Sequence, residues 1–163
     1  MTDVFEQARK MTWSHVSRDT ATVLPGRRDY SEYRDMGLAA ASGGWMRAQI
    51  ISSKERPTQQ TGMRPTPPTG WHYHLCHAQI VYILKGFADL EFENGKRVRA
   101  KEGDMVFIPG GLKHNDISAS ADIEVIEMSL PAEMGTVACD PPEGWTDTSA
   151  SVTEQATTTA VQK

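Results

Sequence analysis

The clearest pattern in the chain is a strict alternation of apolar and charged positions in "FADLEFENGKRVRAK". Ala88, Leu90 and Phe92 alternate with Asp89, Glu91 and Glu93, and beyond a turn Val98 and Ala100 alternate with Arg97, Arg99 and Lys101. A period of two places each set on one face of a strand. In an antiparallel pair the two apolar sets share a face only if the connecting loop has an odd number of residues. A loop of Glu93, Asn94 and Gly95 meets this condition, with Gly95 free to take a positive φ. Leu90 is then expected opposite Val98 on the inner face, with Glu91–Arg97 and Asp89–Arg99 paired on the outer one. The basic run Lys96–Lys101 is thereby matched by acids, which removes the case for a nucleic-acid surface.

Further strands are expected at Trp45–Ser52, Gln79–Gly86, Met105–Ile108, Asn115–Ser118 and Ile123–Leu130, with almost no helical periodicity from Trp45 to Leu130. Asp3 and Glu6 form a capping box, and Val4, Ala8 and Met11 recur at helical spacing, so a short helix is expected up to Trp13. The segment from Ser14 to Gly44 is polar and irregular, with Tyr30 and Tyr33 available to pack on the body of the domain. Lys54–Gly70 carries Pro57, Pro65, Pro67 and Pro68, which block helix and central strand alike, and leads into a histidine-rich stretch as a rim or lid. After Trp145 the chain is polar and threonine-rich, and a flexible tail is expected. The resulting division is an N-terminal extension over 1–44, a barrel over 45–135 and a C-terminal turn and tail over 136–163.

A chain of 163 residues buries a substantial core as one domain. A net charge of −4 gives no general attraction to nucleic acid or an anionic membrane. The longest strictly apolar run, Ile80–Leu84, is far shorter than a membrane span. With no apolar core of a secretory signal near Met1 and only Cys76 and Cys139, the expected location is cytoplasmic with reduced thiols.

The chemistry concentrates in "GWHYHLCHAQIVYILKG", where three of the five histidines fall within six residues. His72 and His74, two apart on a strand, direct both imidazoles to one side. Gln79 follows across a short turn. His114, in "GDMVFIPGGLKHN", is the one downstream histidine. Three imidazoles and an amide oxygen suit one divalent transition metal with positions open to water or substrate; Fe, Mn, Ni and Zn all fit. His77 has the wrong parity for the metal unless the turn intervenes, and is a candidate for substrate contact.

Both segments resemble the cupin family. Gly103, Pro109, Gly111 and His114 stand at the spacing of its second motif, and His72, His74, Gln79 and Gly86 at that of its first, with glutamine in the usual glutamate place. Thr66 and Ser118 replace a customary glycine and asparagine. The resemblance covers Trp45 to Leu130 and implies a small antiparallel β-barrel or jelly roll. It further implies a metal held by His72, His74, Gln79 and His114, and a homodimer. Ile80, Tyr82 and Leu84 share the apolar character of Val81 and Ile83, so the strand is apolar on both faces, as a subunit interface would require.

A neutral amide leaves the metal more of its charge than a glutamate would, which favours Lewis acidity and an anionic, chelating substrate. The set of three histidines and one glutamine is similar to cupins that tautomerise unsaturated uronates and to polyketide-cyclase cupins. Glu127 matches the acid on the last strand of the sugar enzymes, whereas Ser129 and Glu133 do not match their aromatic and arginine. The expectation is an enzyme acting on a small oxygenated molecule. Dioxygenase-type cleavage of an enol or diketone is placed first, with non-redox isomerase, lyase or cyclase chemistry and non-catalytic ligand binding as alternatives. Glu127 is the candidate proton acceptor, and Arg47 and Gln49, of one parity on the first barrel strand, are candidates for substrate binding.

Overall fold

A computed structural model of the protein describes residues 6, 8–25, 31–53 and 69–146. Its strands are β1 Thr22–Pro25, β2 Ser31–Asp35, β3 Arg47–Ser53, β4 His72–Leu75, β5 Ala78–Lys85 and β6 Phe87–Phe92. They continue with β7 Arg97–Lys101, β8 Met105–Pro109, β9 His114–Ala119, β10 Glu124–Leu130 and β11 Gly135–Ala138. Every strand pair is antiparallel. One sheet runs β1-β2-β3-β10-β5-β8 and the other β11-β4-β9-β6-β7. The expected all-β cupin-type architecture is present, and each expected barrel strand lies within two residues of its place.

Alternation decides what lies between the sheets. On β10, Val125, Glu127 and Ser129 are buried while their neighbours are half-exposed, and on β5 Gln79 and Ile83 point inward. Ile83, Leu90, Ala100, Ile108 and Val125 form the core. Each large aliphatic side chain there contributes roughly 1.5–3 kcal/mol relative to exposure.

The hairpin register is as the parity required. Leu90 faces Val98, Asp89 faces Arg99 and Glu91 faces Arg97, and Gly95 closes the turn at φ 78°. Its environment is different from the expectation. Asp89 and Glu91 are only 2% and 3% exposed, whereas Val98 is 38% exposed on the edge strand. The cause is tertiary. Strand β9 pairs with the other side of β6 and brings Ser118 Oγ to Asp89 (2.6 Å) and Asn115 Nδ2 to Glu91 (2.8 Å). Trp145 Nε1 adds a third donor to Glu91 at 3.1 Å. Arg99 grips Asp89 with two nitrogens, at 2.8 and 2.9 Å.

The region expected to be irregular before Gly44 is partly ordered as sheet. β2 pairs with β3, setting Tyr33 opposite Ile51, and β1 closes on β2, so the first sheet is longer than the barrel alone. A single helical turn, Leu38–Ala41, follows. Glu6 and Ala8 are helical. The remainder of the expected helix before Ala8, Tyr30, the lid segment up to Pro68 and the tail from Asp147 lie outside the described residues.

Candidate metal centre

The two histidine segments meet through backbone packing. Gly110 lies so close to the Cys76 carbonyl oxygen that a Cβ would collide with it. Gly110 N–H donates to the His77 carbonyl at 3.1 Å and Gly111 N–H to the His74 carbonyl at 3.0 Å. The Pro-Gly-Gly turn thus clamps the β4–β5 turn, and His72 falls directly opposite His114. Glycine is required at position 110 because another backbone occupies the space.

The imidazoles of His72, His74 and His114 converge, with ring centroids 5.0, 4.3 and 5.1 Å apart and ligand atoms all within 4.8 Å of one another. Each ring is anchored through Nδ1. His72 Nδ1 donates to the Gly70 carbonyl at 2.8 Å and His114 Nδ1 to the Leu112 carbonyl at 2.9 Å. A carbonyl only accepts, so both rings carry their proton on Nδ1 and offer the Nε2 lone pair. His74 Nδ1 meets the Thr136 hydroxyl at 3.1 Å. Burial pushes His114 below its ordinary value, aided by His72. The Leu112 carbonyl, Asp116 and Glu127 oppose the shift without cancelling it. A neutral, pre-oriented imidazole is the form a metal requires.

The opposite wall is a buried polar row. Glu127 Oε1 accepts from Gln49 Nε2 at 2.6 Å and Arg47 Nη2 at 3.2 Å, and Oε2 accepts from Gln79 Nε2 at 2.9 Å. The sheet order explains the contact, since β10 lies between β3 and β5 and sets Glu127 beside Gln49 and Val81. With its amide nitrogen committed to Glu127, Gln79 is left with a buried Oε1 that has no hydrogen-bond partner among the described residues, and Arg47 Nε is likewise unpartnered there. A buried amide oxygen without a donor is costly unless something binds it. The three convergent imidazoles suit a divalent transition metal, and the amide oxygen is by its chemistry a further donor such an ion would accept.

The structure therefore brings His72, His74 and His114 together and gathers Arg47, Gln49, Gln79 and Glu127 into one row. His77 is exposed in the β4–β5 turn. Cys76, half-buried in the same turn, has its thiol pushed up by burial and then by the charge of Glu127, so it is less thiolate than a free cysteine. Thr136 is the contributor missing from the sequence reading, and nothing in the short "GTVA" stretch marks it as a partner of His74.

Residues 62–127 match the family model described as Cupin domain, so a cupin domain is present and it carries the three-histidine cluster. Solved structures agree on the fold. The polyketide cyclase RemF from Streptomyces resistomycificus is 17% identical, with a TM-score of 0.58 over 81% of this chain and 89% of that one. KdgF from Halomonas sp. is 18% identical, with a TM-score of 0.54 over 75% and 96%. A Streptomyces nucleoside dehydratase is 11% identical, with a TM-score of 0.54 over 78% and 92%. No curated protein matches the sequence. No helix among the described residues is long and apolar enough to cross a membrane.

Proposed function

We propose that this protein is a metal-dependent enzyme that binds a small, oxygen-rich, anionic organic molecule and catalyses a non-redox proton-transfer reaction: an isomerisation, elimination or cyclisation. The observation that carries this reading is Glu127, a buried carboxylate held in place beside the Gln79 amide. A divalent metal held by His72, His74, His114 and Gln79 Oε1 would supply Lewis acidity toward a substrate oxygen. Glu127 is the side chain placed to accept a proton, with Gln49 and Arg47 fixing its orientation. Arg47, through its unpartnered Nε, is the group offered to an anionic part of the substrate. Similarity in fold to a protein named a polyketide cyclase and to one named a nucleoside dehydratase is in keeping with such chemistry.

Dioxygenase-type cleavage of an enol or diketone is the second reading, resting on a three-histidine cluster with open positions. Elemental analysis of protein purified without added metal, with His72→Ala as control, tests the centre: about one divalent ion per chain is expected. Incubation with diketones, keto acids and unsaturated uronates, with O₂ uptake recorded, then separates the reactions. Turnover without O₂ consumption supports the proposal; stoichiometric O₂ uptake replaces it with the dioxygenase. Binding of one compound without turnover makes the protein a non-catalytic binder.

The homodimer belongs to the same reading. Phe107 lies opposite Ile80, and Met105 opposite Tyr82, which is flanked in turn by Ile126; these outward residues form an apolar face on the first sheet. Phe107 and Met105 are each 61% exposed in the single chain. A cytoplasmic setting accords with both cysteines being free.

A further inference from the structure

We propose that Gln79 and Glu127 are a matched pair, in which Glu127 is a positioning residue that turns the Gln79 amide oxygen toward the three imidazoles and makes glutamate untenable at position 79. The inference rests on the metal reading above and deepens it. It also answers why this barrel has an amide where cupins usually have a carboxylate.

An amide is ambiguous, because rotation by a half-turn exchanges a donor nitrogen for an acceptor oxygen. At position 79 the ambiguity is resolved from outside the residue. Glu127 Oε2 is an acceptor and takes the amide nitrogen at 2.9 Å, which commits Oε1 to the other direction. Glu127 is itself held, with Gln49 Nε2 at 2.6 Å and Arg47 Nη2 at 3.2 Å both on Oε1. Gln49, Gln79 and Glu127 are all buried, so solvent does not compete for these groups. Two donors therefore fix one carboxylate, that carboxylate fixes one amide, and the amide presents an oxygen that has no hydrogen-bond partner among the described residues.

The same contact excludes a carboxylate at position 79. In the geometry observed for Gln79, its oxygen would stand against Glu127 Oε2 where a donor now stands, with both groups desolvated and with Arg47 and Gln49 already engaged on the far oxygen. Two carboxylates in that position repel, because each presents only an acceptor to the other. The charge removed from the ligand position is thus not missing from the site. It sits one hydrogen bond away, on Glu127, where it orients the ligand and does not neutralise the metal directly. By this logic the pair can be exchanged, a carboxylate at 79 with an amide at 127, but neither position can be changed alone.

The test uses Gln79→Glu, Glu127→Gln and the exchange double variant, each as the full chain. The readouts are Zn²⁺ affinity by competition with a chromophoric chelator and thermal unfolding of the metal-free protein. Glu127→Gln is expected to weaken Zn²⁺ binding about tenfold or more, as loss of an orienting partner does. Gln79→Glu is expected to lower the metal-free melting temperature by about 5 °C or more at neutral pH, and the double variant to recover most of both losses. Wild-type affinity in Glu127→Gln, or losses in the double variant that are the sum of the single ones, would overturn the pairing. If Glu127→Gln does not fold, the double variant decides alone, since the pairing requires it to fold and bind. A wild type that binds no divalent metal defeats the functional reading, while the coupling seen in metal-free melting still judges the pair.

Discussion

His72 lies directly across from His114 where β4 meets β9, and this is the sole register pair joining the two strands. The junction is short because the turn carrying Gly110 and Gly111, not a long ladder, presses the two segments together. The geometry of the imidazoles is therefore set by glycine packing several residues away.

Gly110→Ala follows from that dependence. The added methyl meets the Cys76 carbonyl oxygen, part of a backbone that cannot step aside cheaply. A loss of about 1–3 kcal/mol in urea unfolding is expected, as for overpacked sites. Divalent metal content should fall with it, because the clamp on the His74 carbonyl loosens. Gly95→Ala serves as a comparison, since its Cβ would meet open space and only its positive φ of 78° is strained.

Acid sensitivity of the metal-free protein should carry the imprint of His114. Its folded value is lowered by burial, so between that value and about 6.5 the unfolded chain binds more protons than the folded one. Stability in that interval rises with pH. It is complete above about 6.5 and is lost as pH falls toward the folded value. Denaturant midpoints across pH 5–8, in the presence of a chelator, should show this slope, and His114→Gln should flatten it. An unchanged slope in the variant would assign the effect to other groups.

Glu91 and Arg97 form one ion pair but should respond unequally to removal. Glu91 also accepts from Asn115 and Trp145 and is buried, so Glu91→Ala strands two donors beside a released guanidinium. A cost of about 3 kcal/mol is expected. Arg97 is about one-third exposed, and Arg97→Ala leaves Glu91 with its other donors. About 1 kcal/mol is expected, and chemical denaturation of both variants checks the ratio.

The outward row on β5 and β8 predicts self-association. Phe107→Glu places a charge at the centre of the exposed apolar residues, opposite Ile80. Light scattering should show the wild type at twice the chain mass and the variant as monomer, with metal content unaltered. A monomeric wild type would mean that the face has another purpose.

Much of this was legible along the chain because the relevant information is local. Parity alone places Leu90 against Val98 and Glu91 against Arg97, and the spacing of Gly103, Pro109, Gly111 and His114 marks a turn and a member of the histidine cluster together. What was not legible depends on which strands become neighbours. Asp89 and Glu91 have the pattern of solvent-facing acids, and only the arrival of Asn115, Ser118 and Trp145 makes them interior. Gln49 and Glu127 could be named as candidates separately, but their 2.6 Å contact needs β10 to lie beside β3. The β1–β2 hairpin escaped notice because its residues carry little alternation, and its partner is β3, beyond a turn and a helical turn.

Thr136 lends a last meaning to the order of the strands. All three imidazoles have been synthesised once His114 is made, yet the hydroxyl that meets His74 belongs to β11, which pairs with β4 at the far edge of the second sheet. A nascent chain still held at Leu130 has the three rings but not that support. The arrangement that surrounds the three rings is therefore complete only once β11 has been made and has docked on β4.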